Sequence, residues 1–238
     1  MRVDPDGWLQ AEPGGPSVVH LPTVRTTPLG PEGTLGLVWH ATGGVGGPRF
    51  AEGLARRIQT YRRGIDRPAS WHLLISAEDG TIFQSAPITV GTWHVGRPGV
   101  IAGVPRRNVN AFTIGVELQN AGPLVEVDGV FYAWPFWLDP ARQKPDPRYR
   151  VAAERVGRVC GRAYDAFTPA QVTSARSLVE ALARHRGWGP DAFRHLHSDF
   201  AAPVKTDPGD LWKERLGDLL DSAFGAGRSP AQELGRTS

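Results

Sequence analysis

Alternating hydrophobic and polar positions predict a strand over residues 111–119. Hydrophobic side chains occupy every even position from 112 to 118. A period of two is typical of a strand with one face on a core, so Glu117 should project from the opposite face. A carboxylate in such surroundings requires solvent or a partner. Glu117 is therefore either a general base in a cleft or a surface residue on an edge strand.

Other segments of the first half are also apolar and β-prone. Residues 35–39 are followed by a Thr-Gly-Gly sequence, which places His40 where a buried strand meets a glycine loop. Active-site side chains often occupy such a position, although a histidine that merely ends a strand fits the pattern as well. Residues 71–77 and 81–86 flank Glu-Asp-Gly and predict a β-hairpin, in which His72 has a structural role.

A short strand over residues 91–95 contains the pair Trp93 and His94. The pair either lines a cleft or forms a packed aromatic ring with a hydrogen-bonded imidazole beside it. Both alternatives fit the pattern of the residues around it.

The helical period appears in three longer segments. Residues 48–63 carry an apolar stripe with arginines on the other face, and a proline that suits a first turn. Thr168 precedes Pro-Ala-Gln, which predicts a capping box for a helix that ends at Gly187. A last helix is expected over residues 211–223.

The composition along the chain predicts one domain with extensions. Residues 1–33 contain six prolines and five glycines and predict an extended arm across the domain. Residues 34–223 form the domain. Within it, residues 121–150 predict an insertion, a hairpin or long loop with exposed aromatic side chains, that lines a groove. Residues 224–238 are expected to form a flexible tail.

Charge and cysteine content exclude several classes of protein. The net charge of +3 is small and dispersed, which argues against nucleic-acid binding. Cys160 is the only cysteine, so neither an intrachain disulfide nor a cysteine metal cluster can form. We expect it as a buried thiol in a short helix over residues 150–163. From the sequence we expect neither an export signal nor a membrane span.

Residues 195–209, HLHSDFAAPVKTDPG, hold the densest group of chemically active side chains. Prolines and a glycine predict a loop. A catalytic zinc ion typically has three protein ligands and an open position, and this loop could supply Asp207 with either His195 or His197. If the chain is extended here, Lys205 lies beside Asp207. The residues fit equally well a surface loop with a capping aspartate and a solvated lysine.

Five segments, in order, carry a resemblance to a known family. They are VWHATGG, SWHLLISAEDGTIFQ, TWHVG, FTIGVELQN and HSDFAAPVKTDPG. Together they resemble the amidase-2 family of zinc-dependent N-acetylmuramoyl-L-alanine amidases, which includes peptidoglycan recognition proteins and phage amidases. The resemblance runs from about residue 35 to residue 212. It implies an α/β fold with a central mixed β-sheet, flanking helices and an open groove that contains one Zn²⁺.

The resemblance also implies roles for individual residues. It assigns the zinc ligands to His40, His197 and Asp207, and the Ser-Asp that follows His197 is what selects it over His195. It assigns the catalytic glutamate to Glu117 and the catalytic lysine to Lys205.

Some relatives use a tyrosine hydroxyl at the position of Trp71, which this chain cannot offer, and this favours the branch of the family that relies on the glutamate. Trp71 is retained as a candidate substrate-binding residue.

The implied function is zinc-dependent hydrolysis of the amide bond between N-acetylmuramic acid and L-alanine in peptidoglycan or its fragments. The alternatives are a muropeptide-binding module without activity and a zinc hydrolase of another amide. Since muropeptide stems carry carboxylates, the arginines before the Glu117 strand are candidates to bind them. The candidate substrate-binding residues beside Trp71 are Trp93, His94, Arg97, Arg106 and Arg107.

We further expect a monomer without nucleic-acid partners. As synthesised it would be cytoplasmic, and it would act as a recycling enzyme, as a phage endolysin after release, or as an effector delivered to the cell wall. The sequence favours none of these three.

Overall fold

The structure is a computed structural model that describes residues 1–46, 49–60, 69–133, 138–139, 144–202 and 205–225. Its helices are α1 (Phe50–Gln59), α2 (Pro169–Arg186), α3 (His197–Ala201) and α4 (Asp210–Gly225). Its strands are β1 (Arg2–Val3), β2 (Leu9–Gln10), β3 (Val18–His20), β4 (Thr26–Thr27), β5 (Gly36–Ala41), β6 (Leu73–Ile75), β7 (Ile82–Gln84), β8 (Gly91–Thr92), β9 (Gly99–Ile101), β10 (Val104–Arg106), β11 (Thr113–Leu118), β12 (Leu124–Val127), β13 (Val130–Ala133), β14 (Leu138–Asp139), β15 (Lys144–Pro145), β16 (Arg150–Val151), β17 (Val156–Val159), β18 (Arg162–Asp165) and β19 (His195–Leu196). Short 3₁₀ helices cover Val109–Ala111, Pro147–Tyr149, Ala153–Arg155 and Pro190–Phe193.

A six-stranded sheet in the order β19-β5-β11-β6-β7-β3 forms the centre of the fold. β5 pairs in parallel with both β19 and β11, and β11 pairs in parallel with β6. β6 and β7 form the predicted antiparallel hairpin, and β3 adds to β7 in parallel. The sheet is therefore mixed and lies among helices, which confirms the expected α/β class.

The two faces of the sheet have different environments. On one face, α2 and α4 bury the even-numbered side chains of β11 in the largest apolar cluster, together with Trp39 and Trp212. The rings of these two tryptophans lie 5.0 Å apart. On the other face, α1 packs Ala51, Ala55 and Ile58 against apolar side chains of β6 and β7. The alternation predicted for the Glu117 strand thus matches the two faces.

The helices follow their sequence signals. The Thr168 hydroxyl accepts a hydrogen bond from the Gln171 backbone N–H, and the Gln171 side-chain oxygen accepts one from the Thr168 backbone N–H. α2 ends at Gly187 in a left-handed conformation. α4 covers the predicted last helix. For the helix predicted over residues 48–63, α1 covers the central part, and residues 48 and 61–63 lie outside the described residues.

The segment predicted as an arm over residues 1–33 packs into the domain. β3 is an edge strand of the main sheet, and β4 pairs with β8. Leu9 is fully buried in the large core, and its backbone N–H donates to the Gln84 side chain at 2.7 Å. The proline-rich composition therefore gives extended pieces that complete the core.

The prediction of a helix over residues 150–163 is wrong. This segment forms β16, a 3₁₀ turn and the antiparallel hairpin of β17 and β18. Cys160 is exposed in the hairpin turn with φ +48°, so it is not the buried thiol that we expected. Val151, Val156 and Val159 give the segment its apolar residues, and they pack from strands without a helical period.

The segment predicted as an insertion over residues 121–150 contains a hairpin of β12 and β13, joined through Asp128 and Gly129 in left-handed conformations. β16 adds a third strand. Residues 134–137, which hold the rest of the aromatic run, and residues 226–238, most of the predicted tail, lie outside the described residues. None of the helices described is long and apolar enough to cross a membrane.

Candidate metal centre and groove

The register of the parallel strands brings two of the predicted residues together. Glu117 on β11 is the direct partner of His40 on β5, so both side chains leave the sheet on the same face near the ends of their strands. On the other side of β5, Leu196 of β19 pairs with Trp39. His197 follows Leu196 and stands next to His40, with ring centroids 4.4 Å apart.

The segment that holds His197 folds back so that Asp207 joins the two histidines. The Ser198 N–H donates to the Asp207 carbonyl at 3.1 Å and thereby closes the segment. Residues 195–209 were predicted as a loop, but the structure has the short strand β19 and the five-residue helix α3 at their start. The fold-back that the zinc hypothesis requires is nevertheless present.

His40, His197 and Asp207 form a compact donor cluster, in which one ligand atom of each lies within 4.8 Å of the others. Asp207 Oδ2 lies 2.9 Å from His197 Nδ1 and 3.7 Å from His40 Nδ1. Tetrahedral zinc ligands at about 2.0–2.1 Å from the ion are roughly 3.3 Å apart, so these spacings fit a zinc ion with little movement. Burial holds the pKa of His40 well below its usual range, and electrostatic interactions with His94, His197 and Lys205 lower this pKa further. The low pKa favours the neutral ring that binds metals.

His195 lies one step away from the cluster. It pairs with Val38, two residues before His40 on β5, and its ring lies 5.9 Å from that of Phe200. The residues alone could not decide between His195 and His197 as a metal ligand. Strand register distinguishes them, because His197 stands at the end of the sheet next to His40.

Glu117 faces the cluster and is half-buried. Its Oε2 atom is buried and has no hydrogen-bond partner among the described residues. Burial, and then the negative charge of Asp207, raise the pKa of Glu117 to about 8, while Lys205 opposes the shift. A carboxyl group with this pKa can exchange a proton near neutral pH.

A groove with a volume of about 240 Å³ joins these groups. Lys205 is exposed and lines this groove with Asp207. Trp71, 7% exposed, forms part of the groove wall. The lining residues are His40, Ala41, Thr42, Leu54, Ala69, Trp71, His94, Glu117, His197, Lys205 and Asp207.

A second pocket of about 340 Å³ shares Lys205 with the groove. Its wall contains two more cations, Arg162 and Lys213. Its two carboxylates already accept hydrogen bonds: Asp199 from the Leu196 N–H and Asp210 from the Tyr164 hydroxyl. No motif in the sequence indicated this pocket, because its cations come from three separate elements: β18, the Lys205 segment and α4.

The other predicted substrate-binding residues have different locations. His94 lines the groove and contacts His40, whereas Trp93 is 44% exposed and lines neither pocket. Arg97, Arg106 and Arg107 are also absent from the walls of both pockets. The guanidinium of Arg106 is paired with Glu32 at 2.9 Å and stacks 4.2 Å from the centre of the Phe112 ring. A role for these arginines in substrate binding stays a prediction.

The fold and the cluster define an α/β protein with an open groove and a candidate metal centre at one edge of its sheet. The profile of the Amidase_2 family, described as N-acetylmuramoyl-L-alanine amidase, matches residues 32–210 of the 238. The chain belongs to this family. The expected family and enzyme class are thereby confirmed.

Solved structures support the fold. A selenomethionine derivative of AmpD is similar with a TM-score of 0.51 and 23% identity, over 92% of this chain and 99% of that chain. A mutant endolysin from Bacillus subtilis has a TM-score of 0.50 and 16% identity, over 86% of this chain and 99% of that chain. No curated protein sequence matches the chain.

Proposed function

We propose that this protein hydrolyses the amide bond between the lactyl group of N-acetylmuramic acid and L-alanine, in peptidoglycan or its fragments, with one zinc ion held by His40, His197 and Asp207. Family membership supports the reaction. The observation that supports the site is the buried Oε2 atom of Glu117, which has no hydrogen-bond partner among the described residues, beside a compact His-His-Asp cluster.

The donor set suits catalytic zinc. Two imidazoles and one carboxylate leave a coordination position free for water or substrate. When bound, zinc supplies Lewis acidity, which lowers the pKa of a water and polarises a carbonyl group.

Glu117 would move the proton. Its Oε2 would accept a proton from the attacking water and later donate it to the departing amine nitrogen of L-alanine. A bound cation stabilises the carboxylate form, which would bring the pKa of Glu117 down from about 8 and keep the base deprotonated at neutral pH.

Lys205 would stabilise negative charge. Its ammonium group would donate a hydrogen bond to the carbonyl oxygen as charge develops there. Trp71 and the apolar side chain of Leu54 line the same groove and would limit the access of water to it.

The second pocket would hold the stem peptide. A stem carries several carboxylates, and the pocket offers Arg162 and Lys213 next to the catalytic Lys205. We therefore place the stem in this pocket, with the scissile amide above the groove.

The function is tested by mass analysis of products. Protein reconstituted with zinc is incubated with intact sacculi and, separately, with isolated muropeptides. We expect release of peptides that begin with a free L-alanine amine, loss of release on chelation, and recovery with added zinc. Asp207→Asn should lose both zinc content and release. Zinc binding without cleavage of either substrate would instead support a muropeptide-binding module or a hydrolase of another amide, and the two substrates separate wall from fragment activity.

A further inference from the structure

His40 has a direct contact on the side away from Asp207. His40 Nε2 lies 3.0 Å from His94 Nδ1, and the two rings meet edge to face with centroids 5.2 Å apart. This distance is that of a hydrogen bond, so one of the two nitrogens carries the proton and the other accepts it.

The far side of His94 decides which nitrogen is the donor. His94 Nε2 lies 3.3 Å from the Thr113 carbonyl oxygen and 3.2 Å from Thr113 Oγ1. The carbonyl can only accept. The Thr113 hydroxyl already donates its proton to the Val109 carbonyl at 2.8 Å, so it too accepts. His94 therefore carries its proton on Nε2, and in the neutral ring Nδ1 presents a lone pair to His40.

This arrangement fixes the proton of His40 as well. His40 Nε2 must donate to His94 Nδ1, which leaves His40 Nδ1 without a proton. His40 Nδ1 is the atom that faces Asp207, at 3.7 Å, a distance too long for a hydrogen bond between them. Its lone pair is thus available at the candidate metal centre.

We propose that His94 is a positioning residue, which accepts the Nε2 proton of His40 and so holds His40 in the tautomer and orientation that bind zinc through Nδ1. The inference rests on the proposed function, because it takes His40 as a zinc ligand. Partners of this kind fix ring orientation, and their loss typically weakens metal binding about ten- to a hundredfold.

The surrounding chain holds His94 in place. A Cβ atom at Gly115 would lie 2.5 Å from His94 Cγ, so only glycine leaves room for the ring. Asn110 Oδ1 accepts from the backbone N–H groups of His94, at 3.2 Å, and of Val95, at 2.8 Å. Gly115 is two residues before Glu117 on the same strand, so one face of β11 positions both groups.

The first test reads the tautomers directly. Long-range ¹H–¹⁵N correlation spectra of the metal-free wild-type protein should show His40 and His94 protonated on Nε2 and unprotonated on Nδ1. In His94→Ala, His40 should become a mixture of tautomers. A wild-type His40 with its proton on Nδ1 would overturn the inference.

The second test measures zinc affinity by competition with a chromophoric chelator. His94→Ala should raise the zinc dissociation constant about ten- to a hundredfold. His94→Asn should recover most of the affinity, since its amide oxygen can accept near the former position of Nδ1. His195→Ala, a nearby histidine outside the cluster, should bind zinc as the wild type does. Affinity in His94→Ala within twofold of the wild type, or no recovery in His94→Asn, would count against the inference.

A second variant covers the case in which His94→Ala does not fold, and two outcomes separate this inference from the proposed function. If His94→Ala does not fold, Gly115→Ala displaces the ring without removing it and should weaken zinc binding in the same direction; unchanged affinity there would overturn the inference. Wild-type protein with the expected tautomers that cleaves no muropeptide would contradict the proposed function alone. Cleavage with the opposite tautomers would contradict this inference alone.

Discussion

His40 and Glu117 are register partners on two adjacent parallel strands, and their side chains enter one groove. This relationship ties the candidate metal centre to the candidate base. A backbone register is fixed by many hydrogen bonds, so the distance between the two groups does not depend on a mobile loop. His197 reaches the same point through β19, whereas Lys205 and Asp207 come from the segment that folds back behind it.

Replacement of the Glu117 carboxyl by an amide should stop proton transfer and leave the metal centre intact. We expect Glu117→Gln to bind zinc normally and to release stem peptide more slowly by a factor on the order of a hundred or more. Glu117 is mainly a carboxylate above its pKa, so wild-type activity should rise as the pH increases through this pKa. Glu117→Gln has no titrating carboxyl here, so its pH–rate profile should lack this rise. Glu214→Gln, an exposed change on α4, is the matched control. Unimpaired turnover in Glu117→Gln would remove Glu117 from the mechanism.

Loss of the Lys205 ammonium should act on the chemical step. We expect Lys205→Ala to lower kcat about a hundredfold with little change in zinc content, because an oxyanion donor contributes mainly in the transition state. Lys205→Arg keeps the charge but not the compact geometry, so it should recover only part of the rate. Steady-state kinetics on an isolated muropeptide measures both. A change in KM alone would indicate that Lys205 only binds substrate.

Reversal of charge in the second pocket should weaken substrate binding. We expect Lys213→Glu to raise KM severalfold for a muropeptide with free stem carboxylates, with kcat nearly unchanged, because the side chain lines the pocket away from the cluster. The effect should shrink with added salt. Arg215→Glu, on the same helix but outside the pocket wall, is the control. If both substitutions raise KM equally, the effect reflects the overall charge of the protein and not substrate binding in the second pocket.

The buried His72 should make folding sensitive to acid. Its Nδ1 accepts from the Gly115 N–H at 3.0 Å, its Nε2 donates to the Val90 carbonyl at 2.8 Å, and burial lowers its pKa to about 4 although the Val90 contact opposes this. An unfolded histidine has a pKa of about 6.5, so between pH 6.5 and about 4 the unfolded chain takes up a proton that the folded protein does not.

The contribution of neutral His72 is therefore complete above pH 6.5 and is lost as the pH falls towards 4. Urea unfolding of metal-free wild-type protein and His72→Asn at several pH values should show a difference in free energy of unfolding that declines across this window by up to roughly 3 kcal/mol. Parallel pH curves would show that burial of His72 is not linked to stability.

Many elements of the fold can be predicted from short stretches of sequence. The alternation around Glu117, the capping box of Thr168 and the hairpin of β6 and β7 each rest on residues a few positions apart, and the structure has all three. The segment that contains Cys160 was mispredicted, because a few apolar residues in a short span fit a helix and a hairpin equally well. The packing of residues 1–33 into the core was missed for a similar reason, since prolines and glycines report on local conformation and not on long-range contacts.

The sequence by itself determined the chemical inventory: one cysteine, two histidines and an aspartate near the end, a histidine after an early strand, and a glutamate on an alternating strand. It also determined the family, because five motifs occur in order. Only the tertiary structure decided which of these side chains meet. Strand register placed His197 and not His195 beside His40, and the contact of His94 with His40 joins residues 54 positions apart. Such contacts follow from how strands pair across the whole chain, and the spacing of residues along it contains no record of that pairing.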